Sequence, residues 1–315
     1  MTGKPDVMVL HEQRPKAMAQ LEEAYTLHRW DKSADKAAFL AEHGAKCRAA
    51  ATNGHAPLDK AMLDAMPNLK LVACSSAGFE AFDVGTMAER GIALTNTSAA
   101  LLDDVADTAI MLLLAARRAL VLADAHVRSG DWVKKGMFPL QRALKGSRLG
   151  IVGLGSIGNA IAERAQALGV EIAYWNRSPK DVSWQRLPDV KTLAQACDHL
   201  VVAVAGGVAT RGLISREVIE ALGSDGLLIN IARGSVVDQE ALIEALRDGR
   251  LGHAALDVYA QEPTQDPNLV SLPNVTLYPH HASGTVETRD AMAQLVVDNL
   301  AAFFADKPLL TPVKL

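Results

Sequence analysis

From one end of the chain to the other, short apolar runs alternate with longer stretches in which apolar and polar positions recur at helical spacing. Apolar runs of this kind suit parallel strands, and amphipathic stretches between them suit crossover helices, so the pattern predicts an α/β fold. Strands are predicted over 7–10, 69–74, 148–152, 170–175, 200–204, 226–231, 254–258 and 275–278. Pro67-Asn68 punctuates the helix that precedes the second of these. A long helix is predicted over 103–122, with Asp103 and Asp104 at the end where the helix dipole favours acids. Another runs over 285–304, long enough to return to the N-terminal part of the chain.

A length of 315 residues exceeds the usual ceiling for one core, so two domains are expected. The returning helix suggests that one is split: 1–98 with 286–315 around a central domain of 99–285. Hydrophobic residues at 49% and charged residues at 22% are ordinary for a globular enzyme. A net charge of −4 and a pI near 6.1 argue against nucleic acid or an anionic membrane as partner. The longest apolar run, 109–116, falls far short of the roughly 18 residues of a membrane span. No basic segment followed by an apolar stretch opens the chain, so no secretory signal is read. Cys47, Cys74 and Cys197 are odd in number and far apart, which suits reduced cytoplasmic thiols and no metal site.

The most specific motif is GLGSIG at 153–158, set between a predicted strand and a predicted helix. Gly153 permits the tight turn, Gly155 lets backbone approach a pyrophosphate, and Gly158 allows close helix-to-strand packing. Phosphate oxygens would then sit on the amides of the helix N-terminus, around Leu154, Ser156 and Ile157. About 20 residues further on, a fold selective for NAD carries an acid for the ribose 2′-hydroxyl. Here Trp175 is followed by Asn176, Arg177 and Ser178, with no acid between Glu171 and Asp181. A guanidinium and a hydroxyl suit a 2′-phosphate, so NADPH (NADP+) is expected, with NADH used less well.

Three later strand ends carry residues able to act together: Asn230 to Gly234 with Arg233, Glu262-Pro263, and Pro279-His280-His281. Ligands of open α/β sheets gather at the carboxyl ends of strands, so these can converge. Arginine can grip a carboxylate bidentately, and histidine can pass a proton near neutral pH while a carboxylate fixes its tautomer. Taken singly, each has a dull explanation: a strand-end salt bridge, a loop charge, a packed histidine.

At this point the chain resembles the D-isomer-specific 2-hydroxyacid dehydrogenase family. The resemblance is carried by SSAGFE (75–80), DDVADTAI (103–110), GLGSIG, NIARGSVVDQEAL (230–242), ALDVYAQEP (255–263) and LPNVTLYPHHASG (272–284). It implies two Rossmann-like or flavodoxin-like domains with a cleft between them, and a homodimer formed largely by the cofactor domains. It implies that Arg233 binds the substrate carboxylate and carbonyl, that His280 is the acid/base, and that Glu262 is its partner. Backbone N–H groups of Ala77 and Gly78 would receive the substrate carboxylate. Asp257 and the Ile231 carbonyl would orient the nicotinamide carboxamide, with Ala205 and Ser283 completing the cofactor contacts. NRSPK (176–180) is similar to the NADPH-preferring glyoxylate, hydroxypyruvate and hydroxyphenylpyruvate reductases. The implied reaction is reduction of a small-molecule 2-oxo acid to its D-2-hydroxy acid.

Some positions depart from the family pattern. Ala77 stands where valine is usual, Ala205-Gly206-Gly207 replaces a proline-rich turn, and His281 replaces an apolar residue. If 279–282 is extended, the two histidines point to opposite sides, and the one after the proline, His280, is assigned to catalysis. Trp132, Met137 and Phe138 lie where similar enzymes approach the partner's pocket; substrate selection and interface packing explain them equally well. Two other readings compete. An NAD-linked phosphoglycerate-type dehydrogenase would want an acid after Trp175. A dinucleotide-sensing protein like the dehydrogenase-like corepressors would keep the fold without needing Arg233, Glu262 and His280 intact.

Overall fold

The structure, a computed structural model, describes residues 3–315. The chain divides into two compact units, 1–101 with 283–315, and 102–282. In the first unit five short strands run parallel: β1 (Asp6–Val9), β2 (Thr26–Arg29), β3 (Ala49–Thr52), β4 (Leu71–Cys74) and β5 (Ala93–Thr95). The second unit holds β6 (Arg148–Val152), β7 (Glu171–Trp175), β8 (Gln185–Arg186), β9 (His199–Val202), β10 (Leu227–Asn230), β11 (His253–Leu256) and β12 (Val275–Leu277). The chain then re-enters the first unit through the helix Val286–Phe304. It ends on β13 (Pro312–Val313), which pairs antiparallel with β5.

The sheet of the first unit has the order β13-β5-β4-β3-β1-β2, which is flavodoxin-like once the antiparallel edge is set aside. The second sheet runs β12-β11-β10-β9-β6-β7-β8, the doubly wound Rossmann order with one added edge strand. The expected two-domain α/β architecture is therefore present. Residues of β3, β4, β9 and β10 are buried throughout, as strands covered by helices on both faces must be.

Two local expectations change. The helix predicted over 103–122 is two helices, Ser98–Arg117 and Leu120–Arg128, separated where Ala119 takes a left-handed φ of 47°. The segment after β12 is not extended, because His280 has φ 49°. The argument that its two histidines alternate across a strand therefore fails. No helix among the described residues is long and apolar enough to cross a membrane.

Two histidines at the leading ends of β9 and β11 should make this unit acid-sensitive. His199 is 0% exposed, its Nε2 lies 3.1 Å from Ser147 Oγ, and its Nδ1 has no partner among the described residues. Burial lowers the pKa of both His199 and His253 to about 4. Well above the ordinary histidine value of 6.5 both rings are neutral folded and unfolded, and they add no pH dependence to stability. Below it the unfolded chain takes up protons that the native state refuses, so stability falls as pH falls, levelling off below about 4. The melting temperature should accordingly drop between about pH 6.5 and about pH 4, and His199→Gln should flatten that dependence. An unchanged pH profile in His199→Gln would show that burial of this ring does not set the acid limit.

Candidate active site

In the second unit the strand order reverses between β6 and β9, and ligands of such sheets bind at that point, beyond the carboxyl ends of the strands. The glycine turn leaves β6 here. Gly153 has φ 99°, and a Cβ on it would lie 2.7 Å from Val204 Cγ1 and 2.9 Å from the Ala203 carbonyl. A Cβ on Gly158 would come within 2.1 Å of the Gly153 carbonyl oxygen. Both glycines are thus required by packing. Gly155 differs, since its Cβ would meet nothing within 4 Å. Gly155 caps the helix Ser156–Ala167 without a side-chain hydrogen bond. Open space above uncapped amides is what an approaching pyrophosphate requires. Ser156 is exposed and Ile157 half-buried, whereas the Leu154 side chain is buried, leaving its backbone as the part able to meet a ligand.

At the end of β7 the Asn176–Ser178 turn carries the exposed Arg177. Its geometry depends on a residue that sequence reasoning missed. Arg186, on the two-residue strand β8, donates to the carbonyls of Asn176 (3.0 Å) and Arg177 (3.3 Å). On the far side, Lys180 N–H donates to the Tyr174 hydroxyl at 3.1 Å. The turn is fixed at both ends with its cations outward, and no acid stands in it, so the residues present fit a dinucleotide bearing a 2′-phosphate. After β9, Ala205 is exposed and its carbonyl accepts from Thr210 Oγ1 at 2.7 Å, which settles the turn that replaces the proline-rich one.

The residues expected to act in acid/base chemistry lie beyond β10, β11 and β12. His280 Nδ1 sits 2.5 Å from Glu262 Oε2, and the other carboxylate oxygen accepts from Tyr259 N–H at 2.9 Å. Tyr259 is itself locked: its hydroxyl donates to the Tyr278 carbonyl at 2.8 Å, and burial pushes the phenol up to about 12. Asp257, 1% exposed, accepts from the backbone amides of His281 (2.7 Å) and Ala282 (3.2 Å). Its own carbonyl accepts from His280 N–H at 2.8 Å. Burial raises the carboxyl of Asp257 while those amides pull it back down. Asp257 thus braces the loop that gives His280 its left-handed backbone. A carboxylate has further acceptor capacity, so this bracing is compatible with the expected carboxamide contact.

Arg233 follows β10 in a turn tied by Asn230, whose Oδ1 accepts from Ala232 N–H and whose Nδ2 donates to the Arg233 carbonyl, each at 3.0 Å. Arg233 Nη1 donates to the Ala232 carbonyl at 2.7 Å and the side chain is half-buried. Ile231, between them, is buried. Asn230 and Tyr259 lie within the strings NIARG and ALDVYAQEP, but nothing in those strings marks them as residues that hold the turns. Nothing in the sequence marks Arg186.

The second unit therefore carries the glycine turn, the Arg177 turn, Arg233, Asp257, Glu262 and His280. Ala77, Gly78 and Ser283 belong to the first unit, and all three are half-buried. There the loop after β4 is held by Thr97 N–H on the Ser76 carbonyl (3.0 Å) and by Asn96 Nδ2 on the Ala77 carbonyl (3.2 Å).

A dinucleotide-binding sheet whose strand ends also present an arginine and a carboxylate-paired histidine defines a dehydrogenase. Comparison with known proteins agrees. The NAD binding domain of D-isomer specific 2-hydroxyacid dehydrogenases matches residues 110–282. Glyoxylate/hydroxypyruvate reductase A of Arabidopsis thaliana is 48% identical over 295 residues, covering 93% of this chain and 94% of the relative. Hydroxyphenylpyruvate reductase of Plectranthus scutellarioides is 45% identical over the same coverage. The crystal structure of an NADPH-dependent glyoxylate/hydroxypyruvate reductase from Sinorhizobium meliloti, in complex with NADP and malonate, superposes with a TM-score of 0.92. It is 42% identical and covers 99% of this chain and 97% of that one. The chain belongs to the D-isomer specific 2-hydroxyacid dehydrogenase family. It is an NAD(P)-dependent oxidoreductase, and these reductases as relatives weigh against the corepressor and phosphoglycerate readings.

Proposed function

We propose that this enzyme reduces glyoxylate and hydroxypyruvate, and more slowly phenylpyruvate-type acids, to D-2-hydroxy acids with NADPH as the preferred reductant. The observation that carries this reading is the Glu262–His280 pair at 2.5 Å on a loop braced by Asp257. Bound nicotinamide would supply the hydride for the 2-oxo carbon. His280 Nδ1 is committed to Glu262, so the proton for the carbonyl oxygen comes from Nε2, and the carboxylate stabilises the protonated ring. Arg233 holds the substrate carboxylate and polarises the carbonyl as negative charge develops on its oxygen. Amides of Ala77 and Gly78 receive the carboxylate. The turn amides of residues 153–157 hold the pyrophosphate, and Asn176, Arg177 and Ser178 hold the 2′-phosphate. Ile231, Asp257, Ala205 and Ser283 complete the cofactor contacts.

A homodimer is part of the proposal. Leu120, Val121, Val127, Val133, Met137 and Leu140 are exposed along one stretch of the second unit, apolar side chains that a second copy would cover. Trp132 is exposed in the same stretch, while Phe138 packs edge-on against His126 with ring centroids 5.5 Å apart. The three cysteines are buried free thiols, which supports a reducing, cytoplasmic setting.

Steady-state kinetics with glyoxylate, hydroxypyruvate, pyruvate and phenylpyruvate, each with NADPH and NADH, test the reading. Turnover should be fastest with the first two, and kcat/KM for NADPH should exceed that for NADH by about tenfold or more, equivalent to about 1.4 kcal/mol. Arg177→Ala should narrow that ratio. No turnover with any of the four acids would overturn the proposal.

A further inference from the structure

A concave site lies in the first unit beside the Ala77–Gly78 loop, at the carboxyl ends of β1, β3 and β4. It is a cavity of about 360 Å³ lined, among others, by His11, Arg14, His55, Ser75, Ser76 and Arg289. Most charges around it are already neutralised locally. Arg14 Nε is 2.7 Å from Asp290 Oδ1. Glu12, also in the wall, is 2.9 Å from both Arg29 Nη2 and Lys32 Nζ, and those hydrogen bonds hold its carboxyl below the usual value. Arg289, near the start of the helix Val286–Phe304, is the exception. It is half-buried, and among the described residues its guanidinium has no hydrogen-bond or ion-pair partner. A half-buried cation in a polar concavity, with no anion of its own, is complementary to an anion from outside.

The cavity is continuous with the loop assigned to the substrate carboxylate. Ser75 and Ser76 line it and lead directly into Ala77 and Gly78. The turn Asn53-Gly54-His55 rests on that loop without a gap, because a Cβ on Gly54 would stand 1.9 Å from the Gly78 carbonyl oxygen and 2.9 Å from Ser76 Cβ. Asn53 Oδ1 fixes the turn by accepting from the amides of His55 (3.1 Å) and Ala56 (2.8 Å). We infer that this cavity is a subsite for a second, distal anionic group, so that the enzyme takes 2-oxo acids with a carboxylate or phosphate at the far end, held by Arg289. This deepens the proposed function, and rests on the assignment of the Ala77 and Gly78 amides to the 2-oxo acid head.

The test compares 2-oxoglutarate with 2-oxovalerate, which has the same chain length but an uncharged end. Calorimetric titration of the native enzyme with NADP+ present should show 2-oxoglutarate binding at least about tenfold tighter. Arg289→Met should abolish the difference, Arg289→Lys should keep part of it, and kcat/KM for glyoxylate should stay within about twofold in both variants, since glyoxylate has no distal group. Equal binding of the two acids by the native enzyme would overturn the inference, whatever the variants do. So would a preference that survives in Arg289→Met, or a loss of glyoxylate turnover matching the loss of 2-oxoglutarate binding. Discrimination in binding with no turnover of any 2-oxo acid would retain the subsite and sink the catalytic reading instead.

Discussion

Replacing His280 with alanine is expected to lower kcat by about 10²- to 10⁴-fold while leaving the affinity for NADPH close to native. The imidazole combines a fixed carboxylate partner with a backbone whose loop is held by Asp257. Glu262 Oε2 meets Nδ1 at 2.5 Å, the Asp257 carbonyl takes the His280 amide at 2.8 Å, and the Asp257 carboxylate takes the next two amides. A positioned proton donor contributes through the transition state, so its loss should appear in kcat and not in cofactor binding. His281 makes the control. Its contribution to the loop is a backbone amide that alanine also possesses, and its exposed ring does no more than approach Tyr278 edge-on at 6.2 Å. His281→Ala should therefore stay within about threefold of native, a difference of well under 1 kcal/mol. The assignment fails if stopped-flow and steady-state rates of His280→Ala come within tenfold of native, or if the two alanine variants behave in the opposite sense.

What the sequence discloses about this architecture follows from how burial is written into it. Strands β6, β9 and β10 are built mainly of buried Val, Ile and Leu, and they are readable within a residue or two. Strand β3 has the same burial but reads AAAT, a composition that favours helix, so only its pairing with β1 and β4 makes it a strand. Strand β2 is partly exposed, and β5 and β13 are too short to show a period. The break at Ala119 carries neither glycine nor proline, and the left-handed His280 is accompanied by three hydrogen bonds from its loop to one residue, Asp257, more than 20 positions upstream, and by one short turn. Site chemistry shows the same division. Residues proposed to meet ligands lie in recognisable strings, whereas Arg186 acts through the carbonyls of a turn nine and ten positions earlier and has no local signature. Side chains that work by holding backbone become visible only when the backbone is folded.

Gly234→Ala should be nearly as damaging as loss of His280, through packing alone. A Cβ at this position would stand 1.8 Å from the Tyr259 carbonyl oxygen, 1.9 Å from its carbon and 2.4 Å from Ala260 N. All three are backbone atoms, so no side-chain rotation relieves the overlap, and two strand-end loops must separate. One carries Arg233, the residue immediately before the glycine. The other carries Glu262, whose Oε1 is anchored on the Tyr259 amide at 2.9 Å. Separation therefore moves the carboxylate that fixes His280 away from the guanidinium, and a displacement of about 1 Å in such a constellation costs about 10²-fold in rate. Overpacking should also lower stability by about 1–3 kcal/mol, or roughly 3–10 °C in melting temperature for a unit of this size. Gly155→Ala supplies the contrast in stability, because its new Cβ would face open space and the melting temperature should not move. Native melting temperature and native kcat/KM in Gly234→Ala would mean that these two loops are not in the contact on which the arginine–carboxylate–histidine arrangement depends.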